Sequence, residues 1–349
     1  MNNNFKEEIL TDKEIHFVKQ IISKYDLNIC KAYKVKSIYK LYSKDNKCYC
    51  LKGIYRNKNK IINASNLIEV LYKNNFYNTP MYYKDRKGNL FNIYHKSLFY
   101  ITDWIEGNEV NLSSLHEAKL TSELLAQFHS KSKVMDSRYL KLRNTTNKNI
   151  SSQFMDNIYL LNKFESIIQN KRLKNSFDYE YNQYISVFVN QALIALNILN
   201  TCAYANILKN PDSTVICHNK FNSRSVIKNK EGVFLVNLNY LSYDLRINDL
   251  GKYIRRVMIR GSYKWDFIKC RDMIESYNKN YKLSKDELLL MLAIVIFPYK
   301  FCKLGKKRYI KNKNWSESKY NDKLKRVIKQ YKINSDFISD YLKYVNDYE

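Results

Sequence analysis

Residues able to handle a phosphate occur along this chain in a telling order. Lys52 ends a strand-like run, Cys48-Tyr49-Cys50-Leu51, and Glu69 follows on a helical stretch. A strand lysine that holds phosphates, oriented by a helix glutamate, opens the parts list for phosphoryl transfer in kinase-like enzymes. The list continues with a loop of the form His-x-Asp-(four residues)-Asn and an aspartate at a later strand end. Here Cys217-His218-Asn219-Lys220-Phe221-Asn222-Ser223-Arg224-Ser225 keeps the histidine, but Lys220 stands at the aspartate position and Ser225 at the asparagine position. After Val233-Phe234-Leu235-Val236 comes Asn237, where the metal-holding aspartate belongs. Mg²⁺ takes hard anionic oxygens, and an ammonium placed where base and metal should sit is repelled from both. His218, Lys220, Ser225 and Asn237 therefore read as a degenerate site, three charges more positive than a working one. No glycine precedes Gly53, so the loop covering the phosphates is not glycine-rich either. The expectation is no catalytic residue, no metal site and no cofactor, with Lys52 and Glu69 left as a nucleotide-phosphate site. Taken singly, His218 reads as a buried, hydrogen-bonded histidine and Lys52 and Glu69 as solvated surface charges; their order and spacing make them a set.

The elements that must carry this set are legible from periodicity. Residues 4–25 read as an amphipathic helix on Phe5, Ile9, Phe17, Ile21 and Ile22. Tyr33–Ser43 and Lys47–Tyr55 alternate around the polar turn Lys44-Asp45-Asn46, a hairpin pattern. A helix follows over Ile62–Asn75, then two short strands at about 90–95 and 98–103. From Ser113 the pattern is helical: 114–130, then a polar, basic loop at Lys131–Asn149, then helices at 151–170 and 177–207. A β-rich interlude at 214–238 interrupts it, and helices resume at 247–260, 265–279, 284–297, 298–312, 316–331 and 334–347. This predicts an α+β, bilobal protein kinase-like fold. Its segments are an N-terminal helix (1–29), a small β-rich N-lobe (30–105) and a larger helical C-lobe (106–349) into which the catalytic-loop-like hairpin is inserted.

Composition bounds the rest. With 349 residues, 45% hydrophobic and 14% aromatic, the chain can bury a substantial core and is not a disordered polymer. Only 7 Gly and 3 Pro exclude linker-rich and collagen-like architectures. The seven cysteines are scattered without a C-x-x-C pair, so they read as reduced thiols and not as a metal site. Met1–Leu27 lacks the apolar stretch of a signal peptide, and the longest apolar run, Leu288–Phe297, is half of the roughly 20 residues a bilayer needs. Neither a signal peptide nor a transmembrane segment is expected, and synthesis is expected in the cytoplasm. The net charge of +27 invites a polyanion. The basic run Lys300–Lys313, with Tyr299, Phe301 and Tyr309 interleaved, lacks any nucleic-acid-binding signature, so no specific nucleic acid is expected.

Several segments resemble one family. Tyr100-Ile101-Thr102-Asp103-Trp104-Ile105-Glu106-Gly107-Asn108-Glu109 is similar to the hinge of the CotS family of bacterial spore coat proteins, a branch of the aminoglycoside/choline kinase-like superfamily. So are the run Asp244-Leu245-Arg246-Ile247-Asn248-Asp249, the pair Trp265-Asp266, and Phe297-Pro298-Tyr299-Lys300-Phe301. The likeness spans roughly residues 30–330. It implies a kinase-like fold, a place in the spore coat and other coat proteins as partners, with polyanions as further candidates. Asp249 is expected to support the loop or to sit favourably at a helix N-terminus. Three functions stay open: an inactive pseudokinase serving as a structural or assembly component, a metal-independent nucleotide- or anion-binding pseudokinase, and an active small-molecule phosphotransferase drawing acids from Asp244, Glu106 or Asp103. The 31 tyrosines fit the coat reading as sites for oxidative cross-linking, although core packing must claim most of them.

Overall fold

A capping box sets the start of the first helix, α1 (Asp12–Ile22): the Thr11 hydroxyl accepts from the Glu14 amide while the Glu14 carboxylate accepts from the Thr11 amide. The computed structural model describes residues 6–133, 140–146, 149–333 and 335–348. The helix expected over 4–25 is therefore shorter, and Phe5 lies outside the described residues. Glu8 bridges to Lys34 instead of continuing the helix. Of the polar loop expected at 131–149, residues 134–139 and 147–148 also lie outside the described residues.

Two compact units emerge: residues 1–112, 116–144 and 215–243 in the first, and 113–115, 145–214 and 244–349 in the second. The first is built on an antiparallel sheet, β1 (Ile29–Val35), β2 (Ile38–Ser43), β3 (Cys48–Tyr55), β4 (Tyr82–Tyr83), β5 (Asn92–Tyr94) and β6 (Ser97–Asp103), ordered β1-β2-β3-β6-β4 with β5 also on β6. The run expected as one strand over Tyr33–Ser43 is two, because Lys36 takes a positive φ and turns the chain between β1 and β2. Helix α1 covers one face of the sheet: Phe17, Val18 and Ile21 pack with Leu41, Leu51 and Ile101. The Phe17 ring lies 4.5 Å from Phe99 and 4.6 Å from Tyr94 between centroids. Gly53 faces Phe99 across β3 and β6, and a Cβ there would come within 2.7 Å of the ring. Ile61, on α2 (Lys58–Lys73), packs with Leu98 and Tyr100.

The first unit also contains most of α3 (Leu115–Ser132) and the hairpin expected inside the helical half. Strands β9 (Val226–Asn229) and β10 (Gly232–Leu235) pair with each other, and β9 pairs with β7 (Asn108–Glu109), just after the hinge, while β8 (Thr214–Cys217) leads into the loop. The physical reason for this grouping is backbone pairing: the Leu235 amide donates to the Asn78 carbonyl, and the Asn78 side chain donates to the Val233 carbonyl. Gly107 has φ +134 and lies so close to the Lys228 carbonyl that no side chain fits there.

The second unit is helical: α4 (Ile150–Gln169), α5 (Ser176–Thr201), α6 (Tyr204–Lys209), α7 (Arg246–Met258), α8 (Phe267–Asn278), α9 (Lys285–Ile296), α10 (Tyr299–Gly305), α11 (Glu317–Gln330) and α12 (Ser335–Asn346). The helix expected over 177–207 breaks at Cys202, whose backbone is extended. The one expected over 298–312 passes into a π-turn at Lys306–Ile310. Helix α9 is apolar around its whole circumference, which fits a central helix. Helix α5 is long and apolar enough, by length and composition, to cross a bilayer, as is the bent pair α9–α10 if counted as one span. Yet Phe177, Tyr181, Ile185, Phe188, Ala192 and Ala195 of α5 are buried within this unit. The Phe301 ring lies 4.2 Å from Tyr181 and 4.0 Å from Phe188.

Arg246 and Glu287 join two helix starts. The guanidinium donates twice to the carboxylate at 2.6 Å, with both side chains almost fully buried, and the same carboxylate accepts from the Ser284 amide in the α9 capping box. The Tyr281 ring covers the guanidinium at 4.0 Å. This explains the arginine in the Asp244-x-Arg246-x-x-Asp249 run. Asp249 itself is buried in the first turn of α7.

Candidate functional site

A cavity of about 400 Å³ opens in the first unit between the β1–β2 turn, β3, the hinge and the end of β10. Its walls combine apolar side chains (Val35, Ile38, Ile105, Ile227, Val236) with the cations Lys36, Lys52 and Arg224. Lys36 and Ser37 form the tight turn over it, which holds no glycine although its place falls inside a run expected as one strand.

Lys52 enters the cavity from β3, where register pairs it with Tyr100. Its ammonium donates to the Asn237 amide oxygen at 3.3 Å, and the Asn237 amide nitrogen donates to the Arg224 carbonyl at 3.2 Å. Asn237 holds φ +67, a conformation asparagine tolerates better than most residues. Both ends of this side chain are in use. Glu69, expected to orient Lys52, is exposed on α2 and lies outside the cavity lining. The reason is helical phase: Ile61, Ala64, Ser65 and Ile68 occupy the buried face, and Glu69 is turned about 100° beyond Ile68.

The loop after β8 satisfies itself. His218 is buried; its Nδ1 accepts from the Lys220 amide at 3.2 Å, which leaves the proton on Nε2 to be donated to the Val236 carbonyl, also 3.2 Å away. Ser225, at the asparagine position, donates its hydroxyl to the Lys220 carbonyl at 2.7 Å, and Asn222 donates to that same carbonyl. Asn219, at φ +63, donates to the Tyr240 carbonyl and to the Ser242 hydroxyl. The Lys220 ammonium sits 3.4 Å from the centroid of the Tyr240 ring, which Lys60 also approaches, at 4.7 Å. Hydrogen bonding to Lys220, assisted by both positive charges, draws the Tyr240 phenol below its ordinary pKa against a smaller upward push from burial. Nothing in the sequence signals Tyr240 as a partner: it lies 20 residues from Lys220 and only folding brings the two together.

Two carboxylates, Asp103 and Glu109, also line the cavity, and each already has partners. Asp103 accepts from the Met81 amide at 2.7 Å and from the Tyr83 hydroxyl at 2.6 Å. Glu109 pairs with Lys36 at 2.9 Å. Glu106 pairs at 2.7 Å with Lys40, whose ammonium also lies over Trp104 and Tyr42. In the second unit Asp244 accepts from the Leu245 amide and the Asn248 side chain. Around Lys52 and Asn237 the cavity thus joins apolar walls to three cations and two carboxylates, of which Glu109 is paired with Lys36 and Asp103 is held by Met81 and Tyr83.

A family model described as Spore coat putative kinase YutH matches residues 18–341. Spore coat protein S of Bacillus subtilis (strain 168) is 33% identical over 96 residues, which is 27% of this chain and 27% of that protein, so the match spans about a quarter of the relative's length. Among solved structures, an aminoglycoside phosphotransferase from Alicyclobacillus acidocaldarius superposes with a TM-score of 0.84 at 17% identity, covering 98% of each chain. Spectinomycin phosphotransferase with ADP and spectinomycin gives 0.59 at 14% identity, covering 93% of this chain and 98% of its own. Amicoumacin kinase in complex with AMP-PNP, Ca²⁺ and Ami gives a TM-score of 0.60 at 11% identity, covering 94% of this chain and 97% of its own. At such identities these structures establish the fold: an aminoglycoside phosphotransferase-like one, with an N-terminal antiparallel sheet followed by a largely helical part. The fold class and the family resemblance expected from the sequence are both borne out.

Proposed function

The chain belongs to the Spore coat putative kinase YutH family, and we propose that it works in the spore coat as a structural or assembly component whose kinase-like fold no longer transfers phosphate. One observation carries the second half of this reading. The three loop positions that would hold base and metal instead hold an ammonium laid on Tyr240, a hydroxyl closing its own loop, and an amide shared between Lys52 and Arg224. The carboxylates that could have replaced them, Asp103, Glu106 and Asp244, already accept other partners. Its partners are then other coat proteins. Exposed phenols such as Tyr55, Tyr159 and Tyr179 are the ones open to cross-linking.

The test has two arms. Immunodetection in salt-washed, purified coats supports the coat assignment, and recovery only in the soluble cytosolic fraction overturns it. Purified chain with Mg²⁺ and ATP is expected to show no turnover; steady turnover abolished by Lys52→Ala would restore the phosphotransferase reading. A second reading rests on the cations and apolar walls of the 400 Å³ cavity, which suit a nucleotide or similar anion bound without metal. A thermal shift with millimolar ATP in EDTA, lost in Lys52→Ala, supports it, and the absence of a shift counts against it.

A further inference from the structure

A second cavity, of about 750 Å³, lies wholly within the helical unit and is separate from the one that holds Lys52. It is formed by the end of α7 and the turn that follows it, by Lys264-Trp265, and by the last turns of α11. Five cations line it: Arg260, Lys264, Arg326, Lys329 and Lys332. Its lining includes no carboxylate, and among the described residues none of the five forms a salt bridge. Like charges gathered round one concavity raise its potential and favour a multivalent anion there.

Two further observations concern the same region. The Nε of Arg260 is buried without a hydrogen-bond partner, although its Nη1 reaches the Ser113 hydroxyl at 3.3 Å. A buried guanidinium N–H left unmatched is costly, so Arg260, a lining residue, has donor capacity that its protein partners do not use. Lys300, tied to the Gln330 side chain at 2.9 Å, has its pKa brought down to about 8, by desolvation first and then by Arg255, Arg256, Arg326 and Arg260. Of these four arginines, Arg326 and Arg260 line the cavity, so part of its positive field reaches a lysine outside the lining. The backbone sets the walls: Lys264 and Trp265 both take positive φ, and the Trp265 indole, itself buried, donates to the Gln330 carbonyl at 3.0 Å. The turn is thereby fastened to the end of α11.

We propose that this cavity is a binding site for a multivalent phosphate anion, held by Arg260, Lys264, Arg326 and Lys329 through charge-assisted hydrogen bonds. The site is independent of the nucleotide reading of the other cavity.

The experiment titrates inorganic tripolyphosphate into the full chain by calorimetry, without metal. Wild type is compared with the double variant Arg326→Gln/Lys329→Gln, both exposed positions. A control, Lys87→Gln/Lys96→Gln, removes the same charge from exposed turns of the first unit. The expected result is binding that weakens tenfold or more in the first double variant and changes less than twofold in the control. In parallel, the Lys300 ammonium, followed by NMR of the methylated amine, should titrate at higher pH once tripolyphosphate is bound. Equal weakening in the two doubles would mean diffuse attraction to a basic protein and would overturn the site. Loss of binding in Lys52→Ala with the first double variant unaffected would place the phosphate in the other cavity and overturn it as well. Orthophosphate and ATP, titrated alongside, separate a free phosphate from a phosphate-bearing nucleotide as the source.

Discussion

At the scale of single residues, Lys220, Ser225 and Asn237 all have partners of their own. The Lys220 ammonium lies on the Tyr240 ring, the Ser225 hydroxyl donates to the Lys220 carbonyl at 2.7 Å, and Asn237 donates an amide N–H to the Arg224 carbonyl, which an aspartate could not do. If carboxylate loss is what removed the metal site, then Lys220→Asp with Ser225→Asn and Asn237→Asp should give a Mg²⁺-dependent thermal response to ATP that the wild type lacks. Identical Mg²⁺ responses in the two proteins would refute that account. The Lys220–Tyr240 contact makes a separate prediction. Because the folded phenol titrates below its ordinary value, the contact adds stability at alkaline pH, and this is lost as pH falls through the folded pKa. Lys220→Ala should move the Tyr240 absorbance titration upward and remove that alkaline contribution. An unchanged titration would show that the two side chains do not interact in solution.

At the scale of elements, polar anchors at helix starts do much of the positioning. Arg246 and Glu287 tie the beginnings of α7 and α9 together in a buried pair. Arg246→Ala strands the carboxylate, and such one-sided breaks cost about 3–5 kcal/mol; chemical denaturation should report a loss of that order. Loss of less than 1 kcal/mol would mean the pair is replaceable. On α1, Glu14 closes the capping box and pairs with Lys34 of β1, and its pKa falls to about 2, mainly through the Lys34 hydrogen bond and the Thr11 amide. A carboxylate with a depressed folded pKa contributes stability above its ordinary value near 4.5 and loses it as pH falls toward 2. Glu14→Gln should flatten the stability–pH curve across that interval. Element existence was readable from periodicity here, while boundaries were not. The Thr11-x-x-Glu14 signature marks the true start of α1, against a hydrophobic pattern that runs on past both ends. Lys36 divides β1 from β2 through a positive φ that its side-chain type gives no reason to expect.

At the scale of the whole molecule, the +27 charge takes on local meaning. Some of it lies in the loop after β8, at Lys220 and Arg224, and some gathers, without carboxylates, around the 750 Å³ cavity of the helical unit. Association with polyanionic surfaces should weaken steeply with added salt, because each neutralised charge releases counterions. Retention on a phosphate-bearing resin measured from low to high ionic strength tests this, and salt-independent retention would point to apolar contacts instead.

The sequence by itself determined the class of the fold, because hydrophobic period and motif spacing are local properties of a chain. It also carried the family likeness, which rests on contiguous segments. Only the tertiary structure decided what Lys220, Ser225 and Asn237 contact. It put Glu69 on the exposed face of α2, set Tyr240 beneath Lys220, paired Asn237 with Lys52 across 185 residues of sequence, and gathered five cations from separate segments around one cavity. Such contacts depend on where helix phase, strand register and left-handed turns deliver side chains distant in sequence, and no local pattern records that.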